Sequence, residues 1–256
     1  MSMQLDFSGK RVLVTGSTKG IGRGAAEGFH ELGAMVAING RTPESVARAI
    51  DEMGGGERLI AAPGDLSRVS VIHDVVPKAI DALGGLDILV NNAGRGDERL
   101  IDDIDAEHWE AVLALNLKGA FFTIQTALPA LKQSKGSVVN VASMLGVMGA
   151  PAGLIVYSAT KGAMVQMTRM MALELARDGV RVNNLCPGWI DTPMIEHDNE
   201  LAGGDALYKY IDEDCPLGRI GKVDETTGAI LYLSSANAGY TTGSTLVADG
   251  GISSGR

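Results

Sequence analysis

A chain of 256 residues, 45% hydrophobic and 21% charged, has the makeup of a globular protein and can bury one sizeable core. Its formal net charge of −9 leaves no basic stripe to neutralise phosphates, which argues against a nucleic-acid partner. Aromatic residues are scarce at 4% while glycines number 34, a mix suited to tightly packed aliphatic strands joined by short turns.

Val12 to Val14 reads as a first apolar strand and Gly20 to Leu32 as the helix after it. Met35 to Asn39 is a second strand, followed by a helix from Pro43 to Met53 that opens with proline, a residue favoured at the first helical position. Arg58 to Ala62 is a third strand, Val69 to Leu83 a helix stopped by Gly84-Gly85, and Leu86 to Val90 a fourth strand. Ala106 to Lys132 reads as one long helix, Ser137 to Val141 as a strand, and Ala152 to Arg177 as another long helix closed by Asp178-Gly179. Val180 to Asn184, a helix over Asp224 to Ser234 and a strand at Thr245 to Val247 complete the rhythm. Near-continuous apolar strands alternating with helices predict an α/β fold, a parallel sheet covered on both faces. Right-handed crossovers make it a doubly wound, Rossmann-type sheet, and no linker divides residues 1–256 into further domains. The polar stretch Met194 to Lys222 breaks the rhythm and is rich in carboxylates, which suits a lid over a substrate or a solvated pair of surface helices.

Met1 to Gly9 has no basic region leading into an apolar run, and no uninterrupted apolar run nears the ~18 residues of a membrane span. Cys186 and Cys215 are too few for a disulfide framework and are expected as free thiols in a cytoplasmic protein. His30, His73, His108 and His197 are scattered without ligand-like spacing, so no metal is expected.

Two signals carry chemistry. Thr15-Gly16-Ser17-Thr18-Lys19-Gly20-Ile21-Gly22 follows the first strand and leads into a helix, a place to hold the diphosphate of a dinucleotide. Gly16 permits the tight turn, Gly20 lets the backbone approach phosphate, and Gly22 lets the helix pack on the strand. Far downstream, Tyr157 and Lys161 stand four apart on a predicted helix, so a phenol and an ammonium share one face. A tyrosine at its ordinary pKa of ~10 is a poor base at neutral pH, but a neighbouring cation favours the phenolate. Taken singly, each signal also fits an ordinary strand–helix turn or an exposed helical pair. At the end of the second strand the sequence reads Asn39-Gly40-Arg41, with no carboxylate for a ribose 2′-hydroxyl. Arg41, with Lys19 in reach, offers a cation for a 2′-phosphate, which favours NADP(H) over NAD(H).

In order along the chain stand Thr15 to Gly22, Asp65-Leu66, Asn91-Asn92-Ala93-Gly94, Asn116, Ser143, Tyr157-x-x-x-Lys161 and Pro187-Gly188-Trp189-Ile190-Asp191-Thr192. This series resembles the short-chain dehydrogenase/reductase family over essentially the whole chain. The resemblance implies that Gly16, Ser17, Thr18, Lys19, Gly20, Ile21 and Gly22 hold the cofactor's diphosphate end. Asp65 and Leu66 would contact its adenine, and Asn92, Ala93 and Gly94 would line its centre. Ser143 would hydrogen-bond the substrate oxygen and Tyr157 would pass the proton. Lys161 would bind the nicotinamide ribose and lower the Tyr157 pKa, while Asn116 would hold a water that continues the proton path. Ile190 and Thr192 would grip the nicotinamide carboxamide, in a cofactor-facing segment that begins at Pro187 and Gly188. The family likeness also implies a homotetramer.

The expected activity is hydride transfer between NADP(H) and a small carbonyl or alcohol substrate. A 3-oxoacyl-thioester reductase is the nearest alternative; the acidic stretch after Met194 is set against an acidic carrier protein, while Lys132, Lys135 and Arg177 leave it open. A catalytically silent nucleotide-binding or scaffolding protein is the alternative from another class, opposed by the intact Asn116, Ser143, Tyr157 and Lys161. Met144, Leu145, Met148, Leu154, Ile155 and Met194 suggest an apolar substrate wall, and helix or loop core packing explains the same residues. One departure from the family pattern is an extra residue between Ser143 and Tyr157, falling in Met144 to Val156.

Overall fold

The computed structural model describes residues 5–96, 98–149, 152–195 and 206–255, with the main chain alone for residues 206, 207, 210 and 212. Seven parallel strands form one sheet in the order β3-β2-β1-β4-β5-β6-β7. They are β1 (Arg11–Val14), β2 (Met35–Gly40), β3 (Leu59–Pro63), β4 (Ile88–Asn91), β5 (Ser137–Val141), β6 (Arg181–Pro187) and β7 (Thr245–Ala248). The order reverses between β1 and β4, which is where an open α/β sheet leaves a crevice at its strand ends.

Each strand sends alternate residues to opposite faces, and both faces are apolar. Val12, Val14, Val36, Ile38, Val90 and Val139 pack on one side against α1 (Gly20–Glu31), α2 (Pro43–Glu52) and α8 (Val223–Ser234). Leu13, Ala37, Leu89, Val138 and Val182 pack on the other against α3 (Val69–Leu83), α5 (Ala120–Ser134) and α6 (Ile155–Leu175). Local chemistry sets the boundaries: Thr42 caps α2 by accepting from the Ser45 amide at 3.2 Å, ahead of Pro43. Gly84, left-handed at φ 73°, ends α3.

The structure redraws several predicted boundaries. The stretch expected as one helix from Ala106 to Lys132 is α4 (Ala106–Leu113), a π-helical segment Ala114–Gly119, and α5. The helix expected from Ala152 begins at Ile155, because Gly153 at φ 94° turns the chain just before it. β4 starts at Ile88, with Asp87 held by Arg11 through Nε–Oδ2 at 2.7 Å. β6 runs on to Pro187 rather than stopping at Asn184. Within Met194 to Lys222 the chain forms α7 (Ala206–Asp214), while residues 196–205 lie outside the described residues.

By length and composition Ala106–Ser134 could cross a membrane, with a mean hydropathy of 1.3 over its most apolar stretch. Val112, Ile124, Ala127 and Leu131 of this stretch are buried in the protein core instead. Both cysteines are free and buried, and among the described residues no cluster of His, Cys, Asp and Glu could hold a metal.

Candidate active site

The carboxyl ends of β1, β4, β5 and β6 lie side by side, and the segments that leave them build the site. After β1, Gly16 and Gly20 take φ of 61° and 58°, a region that favours glycine. A Cβ on Gly16 would lie 2.9 Å from the Ala93 Cα, so the turn and the loop after β4 are pressed together. Thr15 and Asn92 lock that contact. The Thr15 hydroxyl accepts from the amides of Asn92 and Ala93 at 2.9 and 3.0 Å, and Asn92 Nδ2 donates to the Thr15 and Gly16 carbonyls at 3.1 and 3.0 Å.

Asn39, at the end of β2, braces the turn from the other side. Its Oδ1 accepts from the Gly16 amide at 3.1 Å and its Nδ2 donates to the Ala62 carbonyl at 2.8 Å. The first turn of α1 receives no side-chain cap, since Lys19 is extended at the cap position and its side chain makes no capping hydrogen bond. Open helix amides behind a glycine turn fit a diphosphate by both hydrogen bonding and the helix dipole. Lys19 and Arg41 are exposed at the mouth of this cradle.

Two expected cofactor residues take different parts. Ser17 is fully buried, donating its hydroxyl to the Val14 carbonyl at 2.7 Å and accepting from the Asn39 amide at 3.0 Å, so its side chain holds backbone rather than phosphate. The Leu66 side chain is 4% exposed in the core, which leaves only its main chain to meet a base. Asp65 beside it accepts from the Ser67 amide at 3.0 Å.

Ser143 follows β5, and its Oγ accepts from the Leu145 amide at 3.2 Å, capping the short turn Met144–Gly146. That bond uses a lone pair and keeps the O–H proton for another acceptor. The turn lies directly on α6, where a Cβ on Gly146 would stand 2.7 Å from the Lys161 carbonyl carbon. Lys161 is 3% exposed, donates from Nζ to the Val141 carbonyl at 2.9 Å, and lies 5.5 Å from the centre of the Tyr157 ring. Burial without a carboxylate partner pulls its pKa from 10.5 down to about 8. Cys186 of β6, buried nearby, has its thiol pushed up to about 11 by the same desolvation.

Asn116 sits in the π segment, fully buried. Its Oδ1 accepts from the Arg95 amide and its Nδ2 donates to the Arg95 carbonyl, both at 2.9 Å, with a further contact to Thr160 Oγ1 at 3.3 Å. Thr160 in turn donates to the Tyr157 carbonyl at 2.7 Å. The amide of Asn116 is therefore committed to bracing the loop after β4 against α6.

After β6, Gly188 passes against Asp249, whose Cα would lie 2.6 Å from a Cβ there. Ile190 is buried and bridges to Gly221, and Thr192 lies over the glycine turn, 3.4 Å from where a Gly20 Cβ would be. Met144, Leu145, Leu154, Cys215 and Ile252 form an apolar cluster that Met148, Tyr157 and Trp189 join. Ile155 and Met194, expected in this wall, stay outside the cluster and are exposed. Sequence reasoning missed Asn39 and Thr160 as braces, and Trp189, Cys215 and Ile252 as wall. The signal for Asn39 was an amide at the end of an otherwise apolar strand.

A glycine cradle at the switch point of a parallel sheet, with a phenol, a buried ammonium and a serine hydroxyl beyond it, defines a nicotinamide-dinucleotide oxidoreductase. A family model described as enoyl-(acyl carrier protein) reductase matches residues 16–253. The D-beta-hydroxybutyrate dehydrogenase of Cupriavidus necator is 38% identical over 254 residues, covering 96% of this chain and 98% of that protein. The 3-oxoacyl-(acyl-carrier-protein) reductase of Thermotoga maritima is 37% identical over 254 residues, with 96% and 98% coverage. A gluconate 5-dehydrogenase from Burkholderia cenocepacia, solved in complex with NADP and tartrate, superposes with a TM-score of 0.90 at 32% identity, covering 98% of each chain. The chain belongs to the short-chain dehydrogenase/reductase family and is an oxidoreductase of alcohol and ketone groups.

Proposed function

We propose that this protein is an NADP(H)-preferring carbonyl reductase and alcohol dehydrogenase in which Tyr157 is the general acid and base. The observation that carries the reading is the placement of Lys161, a buried cation 5.5 Å from the Tyr157 ring centre, beside a Ser143 hydroxyl whose proton remains to be given. A nicotinamide dinucleotide held by the glycine turn and by Ile190 and Thr192 would supply or accept the hydride. Ser143 donates to the substrate oxygen where negative charge grows during reduction. Tyr157 delivers the proton to that oxygen, and the Lys161 ammonium favours the phenolate left behind. Lys161 would also hold the ribose hydroxyls of that cofactor. Because the Asn116 amide is committed to Arg95, a water on the proton path would meet the main chain of Asn116 rather than its side chain.

NADP(H) preference is supported by the end of β2. A side chain on residue 40 would lie 2.5 Å from Thr18 Cγ2, and Asn39 is turned inward, so Arg41 is the first residue free to meet a 2′-phosphate. Residues 194–222 are read as a lid. Ile195 is buried, Met194 lies against Gly96, and Tyr208 donates to Asp191 at 3.1 Å.

Assembly as a homotetramer in the cytoplasm completes the reading. Two separate apolar surfaces support it, as dihedral symmetry requires. One comprises Phe121 on α5 with Met170 and Leu173 on α6, the last 75% exposed. The other is the sheet edge at β7, where Leu246 and Val247 are each 37% exposed.

A 3-oxoacyl-thioester reductase is the second reading, favoured by the likeness to the Thermotoga maritima reductase. A panel of ketones, sugars, steroids, 3-oxo acids and 3-oxoacyl thioesters, followed by NADPH oxidation, separates the two. Tyr157→Phe should keep NADPH affinity and lose at least ~10²-fold in turnover. Retention of more than about a tenth of wild-type turnover would overturn the assignment of Tyr157.

A further inference from the structure

Three asparagines and a threonine occupy one row across four neighbouring strands. Asn91 of β4 is in register with Asn140 of β5, Asn140 with Asn184 of β6, and Asn184 with Thr245 of β7. The side chains form one hydrogen-bonded chain. Asn91 Nδ2 donates to Asn140 Oδ1 at 3.1 Å, and Asn140 Nδ2 to Thr168 Oγ1 of α6 at 2.8 Å. The Thr168 hydroxyl donates to Asn184 Oδ1 at 2.7 Å, and Asn184 Nδ2 to Thr245 Oγ1 at 3.3 Å. Asn140, Thr168 and Asn184 are fully buried. A doubly covered parallel sheet is ordinarily filled with aliphatic side chains, and buried amides are costly unless paired.

The row is tied to the site through Thr168 in its middle and through Asn91 at one end. Thr168 accepts from β5 and donates to β6, so one hydroxyl fixes α6 against two strands. Asn184 Nδ2 also reaches the Val165 carbonyl of α6 at 3.5 Å. Lys161 lies two turns before Thr168 on the same helix, and its ammonium donates to the carbonyl of Val141, the residue after Asn140. Asn91 directly precedes Asn92, which clasps the glycine turn. Around the Lys161 ammonium stand Tyr157 of its own helix, the Val141 carbonyl of β5 and the Cys186 thiol of β6, which Asp249 faces in turn.

We infer that Thr168 and Asn184 are positioning residues for Lys161: the buried row sets the height and rotation of α6 over β5 and β6, so that one ammonium meets both the Val141 carbonyl and the Tyr157 ring. The inference rests on the proposed chemistry of Tyr157 and Lys161. Thr168→Val keeps the shape of the side chain and removes the shared hydroxyl, and Thr168→Ser returns it. Thr226→Val is the control, because Thr226 is equally buried but lies on α8, across the sheet, where its hydroxyl bonds only the Val223 carbonyl.

In the full-length enzyme Thr168→Val should lower kcat about 10-fold or more while the carbonyl substrate's KM moves less than about 3-fold. The alkaline limb of its kcat–pH profile should move by about half a unit or more. Thr168→Ser should return kcat to within about 2-fold, and Thr226→Val should leave it there throughout. Wild-type kcat and an unmoved pH profile in Thr168→Val would overturn the inference, as would an equal loss in Thr226→Val. Should Thr168→Val not fold, Asn184→Ser is judged by the same outcomes. A wild-type enzyme inactive on every carbonyl compound would defeat the enzymatic reading and this inference with it, whereas an active wild type with an unaffected Thr168→Val defeats only the inference.

Discussion

Lys161 keeps its ammonium at 3% exposure with one carbonyl as hydrogen-bond acceptor and no carboxylate beside it, and that arrangement costs the folded state. Its pKa falls from 10.5 to about 8, a penalty of ~3 kcal/mol on the charged form. The sign follows from the direction. A cation whose folded pKa is depressed carries its full penalty below about pH 8, and the penalty fades as pH rises toward 10.5. Lys161→Met preserves the straight chain and removes the charge, while depriving the Val141 carbonyl of its donor at about 1 kcal/mol. Ligand-free Lys161→Met should therefore be more stable than the parent by ~2 kcal/mol at pH 7, seen as a Tm higher by about 4–8 °C. The advantage should shrink by ~2 kcal/mol between about pH 7 and 9.5. Urea unfolding at matched subunit concentration measures both quantities, and turnover should be lost in the same variant. A destabilised Lys161→Met at pH 7, or a difference that ignores pH, would refute the reasoning.

Two further outcomes test cofactor choice and assembly. Catalytic efficiency should be at least ~10-fold higher with NADPH than with NADH, about 1.4 kcal/mol, and Arg41→Asp should reverse the order; equal efficiency in the parent sinks the 2′-phosphate role of Arg41. Light scattering at micromolar concentration should return a tetramer, and Leu173→Glu should break it to a smaller species, because a charge would be buried where an exposed leucine now meets a partner.

The sheet was legible because its strands are aliphatic runs and its helices have apolar faces, and the site because its motifs have fixed spacings. Tyr157 and Lys161 need one helix face, and a diphosphate needs glycine before a helix, so those residues declare themselves. What stayed hidden depends on partners remote in sequence. The π segment Ala114–Gly119 coincides with two long-range contacts: Asn116 reaches across to Arg95, and Gly119 lets the Leu66 carbonyl come in to 2.5 Å of where a Cβ would stand. A glycine in mid-helix was the one local sign of it. Motif membership also says nothing of side-chain direction, which is why Ser17 and Leu66 fall in the right segments yet turn inward. The asparagine row could not be read at all without register, since Asn91, Asn140 and Asn184 are adjacent only once the strands pair.

A lysine poised at about 8 gives this site a proton-counting consequence. For alcohol oxidation the pair formed by Tyr157 and Lys161 loses one proton on the way to its catalytic form, and that proton must come from the phenol. In the ligand-free protein the ammonium competes to lose it, because burial has already weakened its hold. Above about pH 8 a neutral Lys161 cannot favour a phenolate, so there the charge has to be restored before catalysis. Ribose hydroxyls that accept hydrogen bonds from the ammonium would stabilise the charged form and raise its pKa again. Cofactor binding should therefore take up protons above about pH 8, where ligand-free Lys161 is largely neutral, and far fewer at pH 7. Calorimetric titration in buffers of different ionisation enthalpy counts them, with Lys161→Met as the reference for protons taken up elsewhere. Equal uptake by the parent and by Lys161→Met would mean that Lys161 is already charged before the cofactor arrives, and that its burial plays no part in setting the phenol's state.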